Sequence, residues 1–154
     1  MSEHHASLQW KRISRDFTYE SYNRSHEMRF KHGKIALAAS AAPAFRGDAD
    51  RVDPEEAYVA SLASCHMLTF LSICARKRLA VDSYEDDAVG FLEKGLNGKL
   101  WIARVTLKPR VRFATGTTVS PETLTEIHHQ SHGECFIANS VRTEISVEDQ
   151  APKD

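Results

Sequence analysis

Residues 53–78 read DPEEAYVASLASCHMLTFLSICARKR, and this stretch decides the fold. It opens with the signals of a helix N-terminus. Asp53 is a good N-cap, Pro54 suits the first helical position, and Glu56 stands where a capping-box acid belongs. The stretch ends in three cations, which complement the negative end of a helix dipole. The sequence therefore predicts one long helix here.

The predicted helix is apolar on every side. Between Ala57 and Ala75 it contains no Asp, Glu, Lys or Arg. Such a helix is either a membrane span or the centre of a core. Polar side chains interrupt the run, and it is only marginally long enough to cross a bilayer. We therefore expect a buried central helix. Because one small sheet cannot easily cover it on all sides, we also expect a second copy of the chain to pack on it in a homodimer.

The bulk composition describes an ordinary soluble protein. The chain has 154 residues, of which 42% are hydrophobic and 27% are charged, with a net charge of −1. This length suits a single domain over residues 1–154. A nearly neutral chain without a basic stripe has no general electrostatic reason to bind nucleic acid or an anionic membrane, so neither partner is expected. The N-terminus has no signal-peptide core, which predicts a cytoplasmic location.

The remaining sequence predicts strands around two helices. Candidate strands cover residues 8–13, 17–22, 27–31, 35–39, 84–94, 100–113 and 141–148. The pair 84–94 and 100–113 flanks a Gly/Asn turn, as in an antiparallel hairpin. Alternation in its second arm predicts one shared face for Trp101, Ala103, Val105 and Leu107. A second helix is predicted from Ser120 to Gly133, and the tail 150–154 is expected to fray. The class is α+β with a largely antiparallel sheet.

The three cysteines carry the chemistry. An odd number at wide spacings does not make a secreted disulfide framework, so each is an inert core residue, a metal ligand or a reactive thiol. Cys74 is nine residues after Cys65, on the opposite helix face and about 13 Å along the axis, so it cannot pair with Cys65 and is predicted to be structural. Cys65 precedes His66, and Cys135 follows a histidine-rich helix. Nearby cations favour a thiolate, so this pair is predicted to be reactive.

A metal site is the alternative. His128 and His132 stand at i and i+4 on one helix face, and Cys135 could add a third zinc ligand. The chain has no CxxC pair and no obvious carboxylate ligand for such a site. The alternative function is therefore a non-catalytic dimer that binds a small ligand or a metal through these three residues.

Two motifs resemble those of the OsmC/Ohr family of thiol-dependent peroxidases. Residues 53–66, DPEEAYVASLASCH, resemble the segment that carries the family's peroxidatic cysteine, although His66 replaces the usual aromatic residue. Residues 132–135, HGEC, resemble its A-H-x-x-C motif. Both motifs occur in the expected order, and the resemblance extends from about Trp10 to Val147. It implies an OsmC-like α+β fold, with mainly antiparallel sheets around a long buried central helix, in an intertwined homodimer.

The resemblance also implies roles for individual residues. Cys65 would be the peroxidatic thiol, Cys135 the resolving thiol, and Glu55 the carboxylate that orients an active-site arginine. Two arginines are candidates, Arg24 in YNRSH and Arg46 in AFRGD, and Arg24 is favoured. The implied reaction reduces an organic hydroperoxide through an intramolecular disulfide, which an external dithiol, often a lipoyl group in this family, reopens. No cofactor is implied, and the biological role would be antioxidant.

Glu55 lies about 15 Å from Cys65 along a straight helix, too far to act on it within one chain. We therefore expect the Glu55 of a second chain to approach Cys65, although Glu at this position also complements the helix dipole. Apolar side chains are expected to wall the site and to favour alkyl hydroperoxides, namely Phe45, Met67, Leu68 and Phe136.

Overall fold

The structure is a computed structural model that describes residues 1–151. The chain divides into two compact units, residues 1–57 and residues 58–154. The single domain over 1–154 stays a prediction. Of the tail that was expected to fray, residues 152–154 lie outside the described residues.

The first unit is built on a three-stranded antiparallel sheet in the order β1-β2-β3. Its strands are β1 (Ala6–Gln9), β2 (His26–Phe30) and β3 (Ile35–Ala39). The predicted strand at 17–22 is wrong, because this segment forms a turn. The backbone N–H groups of Ser21 and Tyr22 both donate to the carbonyl of Thr18, so no extended pairing is left for them.

The long helix, α1, spans Pro54–Arg76. Its predicted N-terminus is confirmed by a reciprocal capping box. The backbone N–H of Glu56 donates to Asp53 Oδ1 at 2.8 Å, and the backbone N–H of Asp53 donates to Glu56 Oε2 at 3.0 Å. The helix ends two residues before the predicted end, since Arg78 adopts a left-handed conformation with φ 59°.

Helix α1 is buried on one face only in the single chain. The buried side chains are Leu62, His66, Phe70, Ile73 and Cys74. The exposed face carries small and apolar residues, namely Ala60, Ser61, Ser64, Leu68 and Ser72. By length and composition alone α1 could span a membrane. Its buried face, however, packs against strands and the second helix of the second unit. The prediction of a helix buried on all sides is therefore not met within one chain.

Two sheets form the rest of the second unit. The strands are β4 (Val81–Asp86), β5 (Val89–Lys94), β6 (Leu100–Leu107), β7 (Pro109–Phe113) and β8 (Glu144–Val147). One sheet pairs β4 with β7, and the other has the order β5-β6-β8 with β6 and β8 parallel. The predicted hairpin is thus broken in both arms. At the break, the backbone N–H of Lys108 donates to Asp86 Oδ1 at 2.7 Å instead of extending a ladder.

A β-bulge changes which residues of β6 share the predicted buried face. The register between β5 and β6 shifts between Arg104 and Ile102, so that Ala103 is the inserted residue. A bulge reverses the alternation of side chains beyond it. Ile102 therefore packs on the core, and Trp101 is 38% exposed. The predicted shared face is right for the other three residues and wrong for Trp101.

The second helix, α2, spans Pro121–Glu134. Its predicted start is confirmed, since Ser120 Oγ accepts a hydrogen bond from the backbone N–H of Thr123. It runs one residue beyond the predicted stop at Gly133, and Cys135 is its C-cap. The last strand is shorter than the predicted 141–148. The class is α+β, with two helices and sheets that are mainly antiparallel, as predicted.

Candidate active site

The two cysteines that were predicted to react lie against each other. Cys65 is half-buried in the middle of α1, and Cys135 is buried at the end of α2. The Cys135 thiol lies close enough to the sulfur of Cys65 for the two groups to interact electrostatically. Neither cysteine is in a disulfide. The fold thus brings together two thiols that are seventy residues apart in the sequence.

The surroundings distinguish the two sulfurs. Burial raises the pKa of the Cys135 thiol, and the interaction with the neighbouring Cys65 thiol raises it further. The backbone N–H groups of Ala138 and Ile137 oppose this increase, and the Ala138 nitrogen lies 3.4 Å from Cys135 Sγ. Cys135 is therefore a protonated thiol at neutral pH. Since the thiolate is the nucleophile, this protonation disfavours Cys135 as the first sulfur to react.

The loop after α2 holds Cys135 in place. The backbone N–H of Cys135 donates to the carbonyl of His132 at 3.3 Å. The carbonyl of Cys135 accepts from both the backbone N–H and the side-chain amide of Asn139, each at 3.0 Å. The same amide donates to the carbonyl of Gly133 at 2.9 Å. The sequence analysis did not predict this role of Asn139. The feature that could have indicated it is an amide side chain four residues after Cys135.

A cleft of about 860 Å³ lies beside Cys65. It is lined by Ser61, Ser64, Cys65, Leu68, Thr69, Ser72, Arg76, Gly133, Glu134, Phe136, Ile137 and Asn139. Of the four predicted apolar walls, Leu68 and Phe136 line it and are largely exposed, and Met67 does not line it. Phe45 belongs to the first unit. The cleft gives an apolar molecule access to the Cys65 sulfur.

The two candidate arginines differ in how their guanidinium groups are used. Arg24 donates to the backbone carbonyls of Tyr22 at 2.7 Å and Tyr19 at 2.6 Å, and its Cζ lies 3.9 Å from the Tyr22 ring centroid. Arg46 is exposed, with φ 64°, and its Cζ lies 5.8 Å from the Tyr19 ring centroid. Within residues 1–151 no hydrogen bond or ion pair engages the guanidinium of Arg46, whose backbone N–H donates to the carbonyl of Pro43. Arg24 is therefore committed to local structure, and Arg46 is free to bind an anion.

Glu55 lies half-buried in the first turn of α1. In the described part of the chain its carboxylate makes no hydrogen bond or ion pair. Its neighbour Glu56 is used by the capping box, so Glu55 is the carboxylate of this turn that is left without a structural partner. A carboxylate free of local bonds suits a role in orienting an arginine, and this role stays a prediction.

The histidines of α2 do not form the predicted metal set. His128 Nδ1 lies 3.0 Å from His66 Nε2 of α1, and the planes of the two buried rings are nearly parallel, with centroids 5.4 Å apart. The pKa of each imidazole is lowered to about 4, chiefly by burial, and for His66 the neighbouring His128 and His132 contribute to this shift. Among the described residues, no group of three or more His, Cys, Asp or Glu side chains is arranged to hold a metal ion. His128 thus faces another helix rather than sharing a ligand set with Cys135.

Cys74 lies in the core, as expected of a structural cysteine. It is 1% exposed and packs in one cluster with Phe70, Ile73 and Ile127. Burial raises the pKa of its thiol, which keeps it protonated and unreactive.

Several solved structures have a fold similar to that of this chain. An OsmC-like protein of unknown function from Vibrio cholerae is 45% identical, with a TM-score of 0.92 over 97% of this chain and 100% of that chain. An organic hydroperoxide resistance protein from Elizabethkingia anophelis is 14% identical, with a TM-score of 0.74 over 100% of this chain and 98% of that chain. The organic hydroperoxide resistance protein OhrB of Bacillus subtilis is 17% identical, with a TM-score of 0.65 over 96% and 97% of the two chains.

The family of this chain follows from a match between its sequence and a family model. A search of curated proteins found no significant match. The family model described as OsmC-like protein matches residues 47–149, which include both cysteine motifs. Together with the relative from Vibrio cholerae, this match shows that the chain belongs to the family of OsmC-like proteins.

Proposed function

We propose that this protein is a thiol-dependent peroxidase that reduces organic hydroperoxides. The observation that carries the proposal is the contact between the Cys65 and Cys135 thiols beside a cleft with apolar walls. The relatives from Elizabethkingia anophelis and Bacillus subtilis, which share the fold at low identity, are named organic hydroperoxide resistance proteins. The relative from Vibrio cholerae is described as a protein of unknown function, so its similarity supports the fold and not the activity.

In the first step, the Cys65 thiolate attacks the peroxide oxygen and breaks the O–O bond. Cys65 becomes a sulfenic acid, and the leaving alkoxide takes a proton to become an alcohol. A guanidinium near this oxygen stabilises the negative charge as it develops. Because Arg24 is held by two backbone carbonyls and Arg46 is free, we propose Arg46 for this role, contrary to the preference from sequence. Glu55 would orient it.

In the second step, the Cys135 thiol condenses with the sulfenic acid. A disulfide forms between Cys65 and Cys135, and the hydroxyl group leaves as water. This step protects Cys65 from further oxidation by peroxide. An external dithiol then reduces the disulfide by exchange and supplies the two electrons of the cycle. A lipoyl group is a dithiol of the right kind, and no cofactor is needed.

We further propose that the active protein is a homodimer in which α1 of each chain packs on the other. Two observations support a second chain. One face of α1 is exposed in the single chain, and Glu55 lies about 15 Å from Cys65 along the helix, too far to act on it within one chain. An antiparallel pair of α1 helices on a two-fold axis would bring each Glu55 towards the Cys65 of its partner. Each site would then contain groups from both chains.

The experiment is a peroxide-consumption assay with cumene hydroperoxide and a dithiol reductant. Cys65→Ser should abolish turnover, because it removes the attacking sulfur. Cys135→Ser should allow one oxidation of Cys65 and then stall. The matched control is Cys74→Ser, which changes a third cysteine and should keep turnover within about twofold, since Cys74 lies in the core. Full turnover by Cys65→Ser would contradict the proposal.

A further inference from the structure

The buried imidazole pair joins the same two elements that carry the thiols. His66 follows Cys65 directly in α1. His128 precedes Cys135 by seven residues, which is almost two turns, so the two lie on the same side of α2. The helices therefore meet at two polar points, one between the sulfurs and one between the imidazoles. The proposed peroxidase cycle uses only the first of these.

The second contact is directional. His66 Nε2 and His128 Nδ1 are 3.0 Å apart, so one nitrogen donates a proton and the other accepts it. Asp149 Oδ1 lies 3.6 Å from His128 Nε2 and favours a proton on that nitrogen. His128 Nδ1 is then the acceptor, and His66 Nε2 is the donor. The rings are buried at 1% and 4% exposure, so neither nitrogen has water as an alternative partner at this contact.

The surrounding contacts hold the helices together without fixing their register. The His128 ring also stacks on Phe70 of α1, with centroids 4.5 Å apart. Phe70, Ile73 and Ile127 belong to one apolar cluster. Apolar packing is not directional, and it tolerates small rotations and slides of one helix on another. A hydrogen bond between two buried ring nitrogens is lost by such movements, because its length and angle are narrowly limited.

We propose that His66 and His128 are positioning residues whose hydrogen bond fixes α2 on α1 and so keeps the Cys135 sulfur in contact with that of Cys65. The proposal rests on the proposed function for its biological meaning, since the contact matters for the step in which Cys135 resolves oxidised Cys65. With the pair intact, the reduced protein already has its sulfurs adjacent. Without it, the reduced protein samples larger separations, which disulfide formation must then remove.

The test measures the Cys65–Cys135 disulfide at equilibrium, without any peroxide. Purified protein is equilibrated in buffers of known reduced-to-oxidised glutathione ratio, the free thiols are alkylated, and the disulfide is quantified by mass spectrometry. His66→Phe keeps a ring and removes the donor. One hydrogen bond contributes about 1 kcal/mol, so the equilibrium constant for the disulfide should fall about fivefold. His66→Gln, which keeps a donor at the ε position, should restore it to within about twofold of the wild-type value.

Phe70→Leu is the matched control, because it reduces packing on His128 and leaves the hydrogen bond in place. It should lower the resistance to unfolding without changing the disulfide equilibrium beyond about twofold. Should His66→Phe fail to fold, His128→Leu against His128→Asn tests the same bond, since Asn keeps an acceptor at the δ position. In either pair, the variant without the bond must shift the equilibrium and the conservative variant must restore it.

Three outcomes would overturn the positioning role. One is a folded His66→Phe variant with the wild-type disulfide equilibrium, and another is an equal shift in Phe70→Leu. The third is a wild-type protein that forms no Cys65–Cys135 disulfide at any glutathione ratio. A wild-type protein that forms this disulfide but consumes no hydroperoxide would overturn the proposed function alone, because the glutathione equilibrium would still report on the two histidines.

Discussion

Acid should destabilise this protein through His66 and His128. The pKa of each imidazole is lowered from 6.5 to about 4 in the folded chain, with burial as the largest cause. The unfolded chain therefore binds more protons than the folded chain between these two values. The free energy of unfolding is fully present above about pH 6.5 and decreases as the pH falls towards 4.

The magnitude follows from the size of the shift. One pKa unit corresponds to about 1.4 kcal/mol, and at about pH 5 roughly one and a half units of each shift are expressed. Each imidazole should therefore cost about 2 kcal/mol at that pH relative to neutral pH, and the pair up to about 4 kcal/mol. Burial raises the pKa of Asp149, which faces His128, and of Asp86 on β4, so these carboxyls act in the opposite direction.

The assay is urea unfolding at about pH 7 and about pH 5, at one fixed protein concentration. The wild-type protein is compared with His66→Phe, which lacks one buried imidazole. Because all other titrating groups are shared, the difference between the two chains isolates the contribution of His66. His66→Phe should lose about 2 kcal/mol less than the wild-type protein on acidification. The matched control is His129→Gln, which removes the exposed histidine next to His128 and should behave as wild type.

Equal losses of stability in the wild-type protein and His66→Phe would refute this reasoning. They would mean that the pair is not held neutral by burial, and that acid acts through other groups. A large difference between the wild-type protein and His129→Gln would refute it in another way, since the sensitive imidazole would then lie on the surface of α2.

Two further predictions concern the peroxidase site. Arg46→Ala should slow the reaction of Cys65 with cumene hydroperoxide by about a hundredfold or more in a stopped-flow measurement, because it removes a charge at the reacting oxygen. Arg24→Ala should act mainly on stability, and the opposite ranking would restore Arg24 as the active-site arginine. Mixing inactive Cys65→Ser chains with inactive Glu55→Ala chains should restore part of the activity, since one site of a heterodimer regains both groups. A mixture that stays inactive after subunit exchange would contradict a shared site.

Sequence was most informative where local chemistry decides the structure. The start of α1 was predictable because Asp53 and Glu56 satisfy each other's backbone N–H groups within one turn. The start of α2 was predictable for the same reason, through Ser120. The fold class followed, since these helices and the strand alternation together are typical of α+β proteins.

Prediction failed where the deciding contact is distant or irregular. Nothing local marks the bulge at Ala103, which turns Trp101 to the outside. At the break of the long hairpin into two sheets, the Asp86 carboxylate accepts a hydrogen bond from the backbone N–H of Lys108, which lies between β6 and β7. Pairing of this kind is set by tertiary structure, so alternation alone extends such strands too far.

The candidate site likewise contains features that could be predicted from the sequence and features that could not. The two cysteine motifs could be recognised from sequence, but the observation behind our proposal of Arg46 over Arg24 could not. It depends on two tyrosine carbonyls that accept hydrogen bonds from Arg24 only once the turn has formed. The metal alternative was attractive because His128 and His132 are spaced for one helix face. In the fold, His128 is desolvated against α1, and a buried imidazole there needs a hydrogen-bond partner, which His66 supplies.

The exposed face of α1 links the proposed dimer to the proposed chemistry. Ser61, Ser64, Leu68 and Ser72 of this face also line the cleft beside Cys65. A second chain that covered the face would therefore also narrow the cleft and displace part of its water. Electrostatic stabilisation of a thiolate and of a developing oxyanion is stronger in such a narrowed site than in an open one. The uncharged run from Ala57 to Ala75 would then serve two purposes. It would allow two helices to pack together, and it would keep the reacting sulfur in apolar surroundings.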